Sequence, residues 1–136
     1  MEGYNLFIGR FQSPHKGHMK LFNEYLSKGK PVLIAVRDVK EEVLTAEQVK
    51  FLFEKLYDGN DLVKVIIIPD ITSVNYGRDV GYTINKISLD DNSEQISATK
   101  IRESIVRGSE EWKIYIEESI QKELEKFIKK NNELHS

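Results

Sequence analysis

The stretch Tyr4–Gly9, with the sequence YNLFIG, is a short apolar run that ends in glycine, a pattern typical of a buried parallel strand. A loop follows, and from Gly17 to Lys28 apolar residues recur at helical spacing. Pro31–Arg37 (PVLIAVR) predicts a second buried strand. Strand, helix and strand together predict a βαβ unit with a right-handed crossover, which is the start of an α/β sheet.

The same alternation continues along the chain. Thr45 and Gln48 have the spacing of a capping box, and the apolar residues behind them predict a second helix that runs to about Tyr57. Leu62–Ile68 (LVKVIII) is the most β-branched segment and predicts the third strand. Short strands are also predicted at Ser73–Tyr76 and Tyr82–Leu89, with glycines at the turns between them.

The last part of the chain is predicted to be helical. One helix is expected from Ile101 to Arg107, capped by Ser97 or Thr99, and a final helix is expected over about 109–130. The apolar stripe of the final helix predicts packing on the chain's own sheet, with a homodimer contact as the alternative. The order of elements predicts an α/β, Rossmann-like three-layer sandwich with a mostly parallel sheet of about five strands.

Composition narrows the class of protein. A chain of 136 residues with 40% hydrophobic content predicts a single domain over 1–136. Charged residues nearly cancel to a net −2, which argues against nucleic acid or an anionic membrane as a partner. No apolar run approaches the roughly 18 residues of a membrane span, so we expect a cytoplasmic protein. The absence of cysteine excludes disulfides, thiolate metal sites and a cysteine nucleophile.

The loop between the first strand and the first helix carries the richest chemistry of the sequence. Ligands of open parallel sheets bind at the carboxyl ends of strands, where a helix N-terminus offers free N–H groups to phosphate. His15 and His18 are three residues apart at that helix start, so both imidazoles can face one phosphate. Gly17 lacks a Cβ, which lets a nucleotide approach the backbone. Zinc is the competing interpretation, but no third His or Cys lies nearby in the sequence.

A second candidate phosphate site lies in Ile96–Arg102 (ISATKIR). Ser97 and Thr99 would present hydroxyls beside unpaired N–H groups at a helix start, and Arg102 adds a fork of donors suited to phosphate oxygens. This arrangement favours the β- and γ-phosphates of a nucleotide. The alternative is an ordinary serine cap beside a surface arginine.

Together the two stretches resemble the signatures of nucleotidyltransferases that carry His-x-Gly-His and Ile-Ser-x-Thr-x-Ile-Arg motifs. The Gly9–Gln12 opening most resembles the archaeal-type nicotinamide mononucleotide branch, although Ser13 stands where that branch usually has proline and Pro14 follows. The resemblance implies nucleotide contacts from Gly9, Arg10, Phe11, Gln12 and Gly17. It covers most of the first 107 residues.

Two further segments match the family less closely. Asn75–Tyr82 holds the position of a Gly-x-Asp segment, which would bring Gly77, Arg78 and Asp79 to the nucleotide; a glycine-rich turn is the alternative. This segment and the second signature also resemble the nucleotidyltransferase-like domains that occur beside adenylylsulfate kinases. The step from the third strand to a fourth departs from the family, because Pro69–Thr72 is too short for a crossover helix.

After the second strand, the family places a mobile basic residue over the α-phosphate. Arg37 or Lys40 can fill that role in this sequence, and a solvated charge run is the alternative.

The resemblance implies an in-line attack of an acceptor phosphate on the α-phosphorus, with pyrophosphate leaving. His15 and His18 would contact the α- and β-phosphates, and Arg102, Ser97 and Thr99 would hold the leaving pyrophosphate. Mg²⁺ would be bound through the triphosphate, with no protein ligand assigned. ATP is favoured as donor with a phosphorylated small molecule as acceptor. A cytidylyltransferase that uses CTP and a non-catalytic nucleotide-binding module are the alternatives.

Overall fold

The computed structural model describes residues 3–40, 43–77, 81–87 and 99–134 of the chain. Within them, strands β1 (Asn5–Gly9), β2 (Val32–Asp38) and β3 (Val63–Pro69) form one parallel sheet in the order β1-β2-β3. Asn5 is aligned with Val32, and Val32 with Val63. The strands therefore run side by side, and their carboxyl ends share one edge of the sheet.

Two helices, α1 (Lys16–Leu26) and α2 (Ala46–Leu56), make the crossovers between the strands. The ring of Phe7 on β1 lies 4.9 Å from that of Phe22 on α1, and Phe22 lies 5.7 Å from Phe53 on α2, measured between centroids. Both helices therefore cover the same face of the sheet, as two right-handed crossovers in the same direction require. The predicted βαβ unit is confirmed, with element ends within two residues of those expected from the sequence. The expected burial of the first strand is wrong, because Leu6 and Ile8 on one face of β1 are 54% and 38% exposed.

The start of α2 follows the predicted capping box. The Thr45 hydroxyl accepts a hydrogen bond from the Gln48 backbone N–H at 3.1 Å, and the Gln48 side chain accepts one from the Thr45 N–H at 3.0 Å. Behind the cap, Val49, Leu52 and Phe53 are fully buried. The apolar periodicity of the sequence therefore identified the face of α2 that packs on the sheet.

The third helix, α3 (Ile101–Arg107), ends as predicted at Gly108, whose φ of +80° belongs to the left-handed region that favours glycine. Its start differs from the prediction. Thr99 and Lys100 already form a helical turn, Lys100 is the N-cap residue, and no side chain makes a capping bond there. The expected Thr99 cap is therefore wrong, because helical winding begins before Ile101; Ser97 lies outside the described residues.

The predicted final helix is divided in two. A 3-10 helix (Glu111–Tyr115) precedes α4 (Glu118–Leu134), and Ile116 between them has extended backbone. The predicted stripe is nevertheless buried, and α4 packs against α2 and α3. The stripe is therefore buried within the chain, but its main contacts are with α2 and α3 rather than with the sheet as expected, and it gives no support to a homodimer contact. Its buried members are Trp112, Ile116, Ile120, Leu124 and Ile128.

The strands predicted after β3 are not formed within the described residues. Residues 73–77 and 81–87 have no regular structure, and their apolar side chains, such as Tyr76 and Ile84, are exposed. A strand needs a neighbour to pair with, and apolar residues between glycines do not by themselves provide one. In the described part of the chain the sheet thus has three strands rather than about five. No helix among the described residues has the length and apolar character to span a membrane.

Candidate active site

The loop that joins β1 to α1 lies at the edge where all three strands end, the expected ligand-binding edge of a parallel sheet. Phe11 turns the chain there with a φ of +52°, and its ring packs against those of Phe22 and Phe53. A Cβ on Gly9 would meet this ring at 3.0 Å, so glycine at that position makes room for it. The loop is therefore anchored to the core by an aromatic side chain.

The side chains of the two histidines together cap the start of α1. His15 is the N-cap residue, and its Nδ1 accepts a hydrogen bond from the Gly17 N–H at 2.9 Å. The Nδ1 of His18 accepts one from the His15 N–H at 3.2 Å. Imidazoles thus fill both places of a capping box, which are usually held by a hydroxyl and a carboxylate or amide.

This arrangement fixes the protonation of both rings. A neutral imidazole nitrogen that accepts an N–H bond carries no proton, so the proton of each ring lies on Nε2. Burial lowers the pKa of His15 to about 4. Burial, together with the neighbouring His15, lowers the pKa of His18 to about 3. Both side chains are therefore neutral hydrogen-bond donors near pH 7.

The rings are placed to act on one ligand group. They are stacked with centroids 3.7 Å apart and an interplanar angle of 27°, and the ring of Phe11 meets His18 edge-on at 5.1 Å. Two Nε2–H donors thus lie side by side at the N-terminus of an eleven-residue helix. That combination suits a phosphate, whose negative charge is also stabilised by the helix dipole.

Metal binding by the histidine pair would require a different arrangement. Each Nδ1 already accepts a backbone hydrogen bond. Among the residues that the structure describes, no group of three or more His, Asp or Glu side chains is placed to hold a metal ion. The donor set therefore favours an anion over a structural or catalytic zinc.

Gln12 and Phe11, both predicted to contact nucleotide, have contacts within the protein. The Gln12 amide donates from Nε2 to the Leu44 carbonyl oxygen at 3.0 Å and accepts the Leu44 N–H on Oε1 at 2.8 Å. Phe11 supports His18 and the core, as described above. Arg10 is exposed at the carboxyl end of β1. Direct contact of these three residues with a nucleotide stays a prediction.

The two candidates for the mobile basic residue differ in their surroundings. The guanidinium of Arg37 donates to the Asp70 carboxylate from Nε at 3.1 Å and from Nη2 at 2.6 Å. This contact lowers the pKa of the Asp70 carboxyl. Lys40 is exposed in the β2–α2 connection. Arg37 would have to leave Asp70 to reach a phosphate, so Lys40 is the more readily movable cation.

The second predicted phosphate site is described only in part. Arg102 is exposed on the first turn of α3, and Thr99 is exposed just before it. Ile101 between them is buried in the same core as the sheet, which fixes the helix relative to the strands. Ser97, Arg78 and Asp79 lie outside the described residues, and Gly77 is exposed.

Two contributors to the site were not predicted from the sequence. The backbone of Leu44 receives Gln12, and the Asn131 side chain on α4 donates to the Val43 carbonyl oxygen at 2.7 Å. These partners are 32 and 88 residues apart in the chain. Neither short motifs nor apolar periodicity carries a signal for such contacts.

No family model matches the chain. Similarity to individual proteins is clear. A nicotinamide-nucleotide adenylyltransferase of Pyrobaculum aerophilum is 29% identical over 85% of this chain and 83% of its own length. A protein of the same name from Pyrobaculum arsenaticum is 29% identical over 92% of this chain and 86% of its own length. These proteins are relatives of the chain. A third, from Caldivirga maquilingensis, is 38% identical over 47% of the chain and 40% of its own length.

The alignment with the Pyrobaculum aerophilum protein is longer than the part of this chain that it contains. The Pyrobaculum aerophilum alignment spans 149 positions but contains only 85% of the 136 residues, about 116. That relative therefore has about 33 positions with no counterpart here.

Proposed function

We propose that the chain is an adenylyltransferase that transfers AMP from ATP to a phosphorylated acceptor and releases pyrophosphate. The observation that carries the proposal is similarity over most of the chain to proteins named nicotinamide-nucleotide adenylyltransferase. The paired imidazole donors at the start of α1 support it independently, because they are suited to a phosphate and lie at the edge where parallel sheets usually bind ligands. By the name of the relatives, a nicotinamide nucleotide is the proposed acceptor.

In the proposed reaction, an oxygen of the acceptor phosphate attacks the α-phosphorus of ATP. The bond from the α-phosphorus to the bridging oxygen breaks, and that oxygen keeps the electron pair as pyrophosphate leaves. The attacking phosphate is already ionised, so no general base is needed and positioning dominates. His15 and His18 would donate from Nε2 to the phosphate oxygens that gain charge in the transition state.

The leaving pyrophosphate is proposed to bind near the start of α3, with Arg102, Thr99 and Ser97 as its contacts. Arg10, Lys40 and the Gly77–Asp79 segment complete the proposed nucleotide contacts.

Mg²⁺ is proposed to reach the site bound to the triphosphate. The described residues fit this role, because the Nε2–H groups of His15 and His18 are donors suited to phosphate oxygens. When bound, the ion would neutralise charge on the phosphates.

Adenylyl transfer is favoured over the alternatives. The relatives are named for adenylyl and not cytidylyl transfer. The paired Nε2–H donors suit both transfer and simple binding of a nucleotide, so turnover is the measurement that separates the enzyme from a non-catalytic module. A single catalytic domain and a cytoplasmic location belong to the same proposal.

Titration calorimetry with ATP and with CTP, each with Mg²⁺, tests the donor. We expect ATP to bind at least about tenfold more tightly than CTP, which corresponds to about 1.4 kcal/mol of binding free energy. Release of pyrophosphate on addition of nicotinamide mononucleotide then tests the acceptor. Tighter binding of CTP would favour the cytidylyltransferase alternative. Binding without turnover on any phosphorylated acceptor would favour the non-catalytic one.

Replacing Gly17 with alanine tests the placement of His15. The new Cβ would lie 2.7 Å from His15 Cε1 and 2.9 Å from its Nδ1, so the ring must move away from the Gly17 N–H. We expect kcat to fall by roughly tenfold, because small displacements of a positioned group are costly. The helix itself should tolerate alanine. The matched control is Gly3→Ala, where a Cβ meets nothing within 4 Å; equal rates for the two variants would contradict the role of His15.

A further inference from the structure

We infer that Gln12 and Asn131 are positioning residues that hold the Val43–Thr45 junction, the segment just before α2, from two sides. Gln12 ties the junction to the phosphate loop, by which we mean the loop between β1 and α1, and Asn131 ties it to α4; we call these two sets of contacts the clamp. The junction would thereby set where the β2–α2 connection, which begins after Asp38 and carries Lys40, lies relative to the histidine pair. The inference rests on the proposed function, because its catalytic meaning requires nucleotide to bind at that pair.

The first side of the clamp comes from the phosphate loop. The Gln12 amide meets the Leu44 peptide with both of its polar atoms, at 3.0 Å and 2.8 Å, much as two neighbouring strands pair. Its Nε2 also approaches the Arg10 carbonyl oxygen at 3.4 Å. A side-chain amide is needed here, because it combines a donor and an acceptor at one end. The Leu44 side chain is 1% exposed, so its burial and the Gln12 contact fix the same residue.

The second side comes from the C-terminal helix. The Asn131 Nδ2 on α4 donates to the Val43 carbonyl oxygen at 2.7 Å and to the Gln48 Oε1 at 2.7 Å. The same Gln48 oxygen accepts the Thr45 N–H in the capping box of α2. A continuous set of hydrogen bonds therefore runs from the phosphate loop through the junction to α4.

These contacts replace the pairing that a strand or helix would give the junction. The peptide groups of Val43 and Leu44 are satisfied by side chains from distant parts of the chain. Loss of either side chain would leave a partly buried peptide group without its partner, and the junction would shift to find water. A shift of about 1 Å near a reacting centre can cost up to about a hundredfold in rate.

Three leucine variants test the inference in the full chain. Gln12→Leu and Asn131→Leu remove the two sides of the clamp, and Gln121→Leu is the matched control. Gln121 also lies on α4 and also donates to backbone oxygens, those of Lys113 and Ile116, at 3.2 Å and 3.0 Å. We expect kcat/KM for ATP to fall about tenfold in the first two variants and to stay within about twofold in the control. The double variant Gln12→Leu with Asn131→Leu should lose less than the product of the single effects, since both act on one junction.

Hydrogen exchange of the Leu44 amide provides a readout that does not depend on turnover. It should quicken in Gln12→Leu and keep its rate in Gln121→Leu. An unchanged Leu44 exchange rate, or a loss of kcat/KM in Gln121→Leu equal to that in Gln12→Leu, overturns the inference. If the unaltered chain neither binds ATP nor turns over, the proposed function is wrong, and so is the claim that Gln12 and Asn131 position the junction for catalysis. In that case quicker Leu44 exchange still shows that Gln12 holds the junction, so the two failures are distinguishable.

Discussion

Replacing His18 with alanine is expected to lower kcat by about a hundredfold or more while the chain remains folded. His18 presents an Nε2–H beside that of His15, with the rings 3.7 Å apart, and hydrogen-bond donors aimed at developing charge typically contribute this much. The alanine variant also loses the capping bond to the His15 N–H and the edge contact with Phe11. Turnover with ATP and nicotinamide mononucleotide is measured alongside thermal unfolding.

A second variant separates the cap from the chemistry. In His18→Asn, the amide oxygen takes the position of Nδ1 and can still accept the His15 N–H, but no group replaces Nε2–H. We expect this variant to unfold within a few degrees of the unaltered chain and still to lose most of its activity. Lys20→Ala, an exposed change two residues along α1, is the control for general effects on the helix. A near-normal kcat of the His18→Asn variant would contradict the proposed role of the His18 Nε2–H as a donor to phosphate.

The sequence predicted the sheet and its crossovers because those elements depend on local periodicity. β2 and the helices α1 and α2 bury apolar residues that the sequence pattern had marked, whereas the apolar run of β1 leaves Leu6 and Ile8 exposed. The capping box of Thr45 and Gln48 was equally predictable, since both partners lie within one helical turn.

The break in the predicted final helix is explained by tertiary contacts that sequence spacing does not reveal. The apolar stripe runs at helical spacing through Ile116, yet the helix is interrupted there. Upstream, the Trp112 indole donates to the Ser109 carbonyl oxygen and its backbone N–H contacts the Ser104 hydroxyl. These contacts fix the tryptophan in a 3-10 turn, and the stripe stays buried because extended Ile116 keeps the same side facing the core. Spacing alone does not distinguish this path from one continuous helix.

For the candidate site, the sequence predicted which residues lie together but not their protonation or their ion pairs. Histidines three residues apart at a helix start indicated a shared face, and the structure stacks their rings. Their common protonation was not predictable, because it depends on which nitrogen accepts a backbone hydrogen bond. The pairing of Arg37 with Asp70 was also beyond the sequence, since these residues meet only where β2 and β3 end side by side.

Acid is expected to destabilise the chain through the same histidine pair. The pKa values of about 4 for His15 and about 3 for His18 lie below the value of 6.5 expected when the chain is unfolded. The unfolded chain therefore binds protons more readily. The stabilising contribution is complete above about pH 6.5 and is lost as the pH falls toward the folded-state values. When the pH falls from 7 to 4, each imidazole taken alone would lower the free energy of unfolding by on the order of 3 kcal/mol.

Such a loss is a large part of the usual stability of a small domain, about 5 to 15 kcal/mol. Urea unfolding at several pH values measures it, with the double variant His15→Asn and His18→Asn as the comparison that cannot titrate at these positions. We expect the variant to lose much less stability than the unaltered chain between pH 7 and pH 4. Equal losses, or imidazole signals that titrate near pH 6.5 by NMR, would contradict the neutral pair.

Neutral rings also mean that kcat should show no step from imidazole protonation between pH 5 and pH 8, because the donated proton stays on Nε2 throughout that interval.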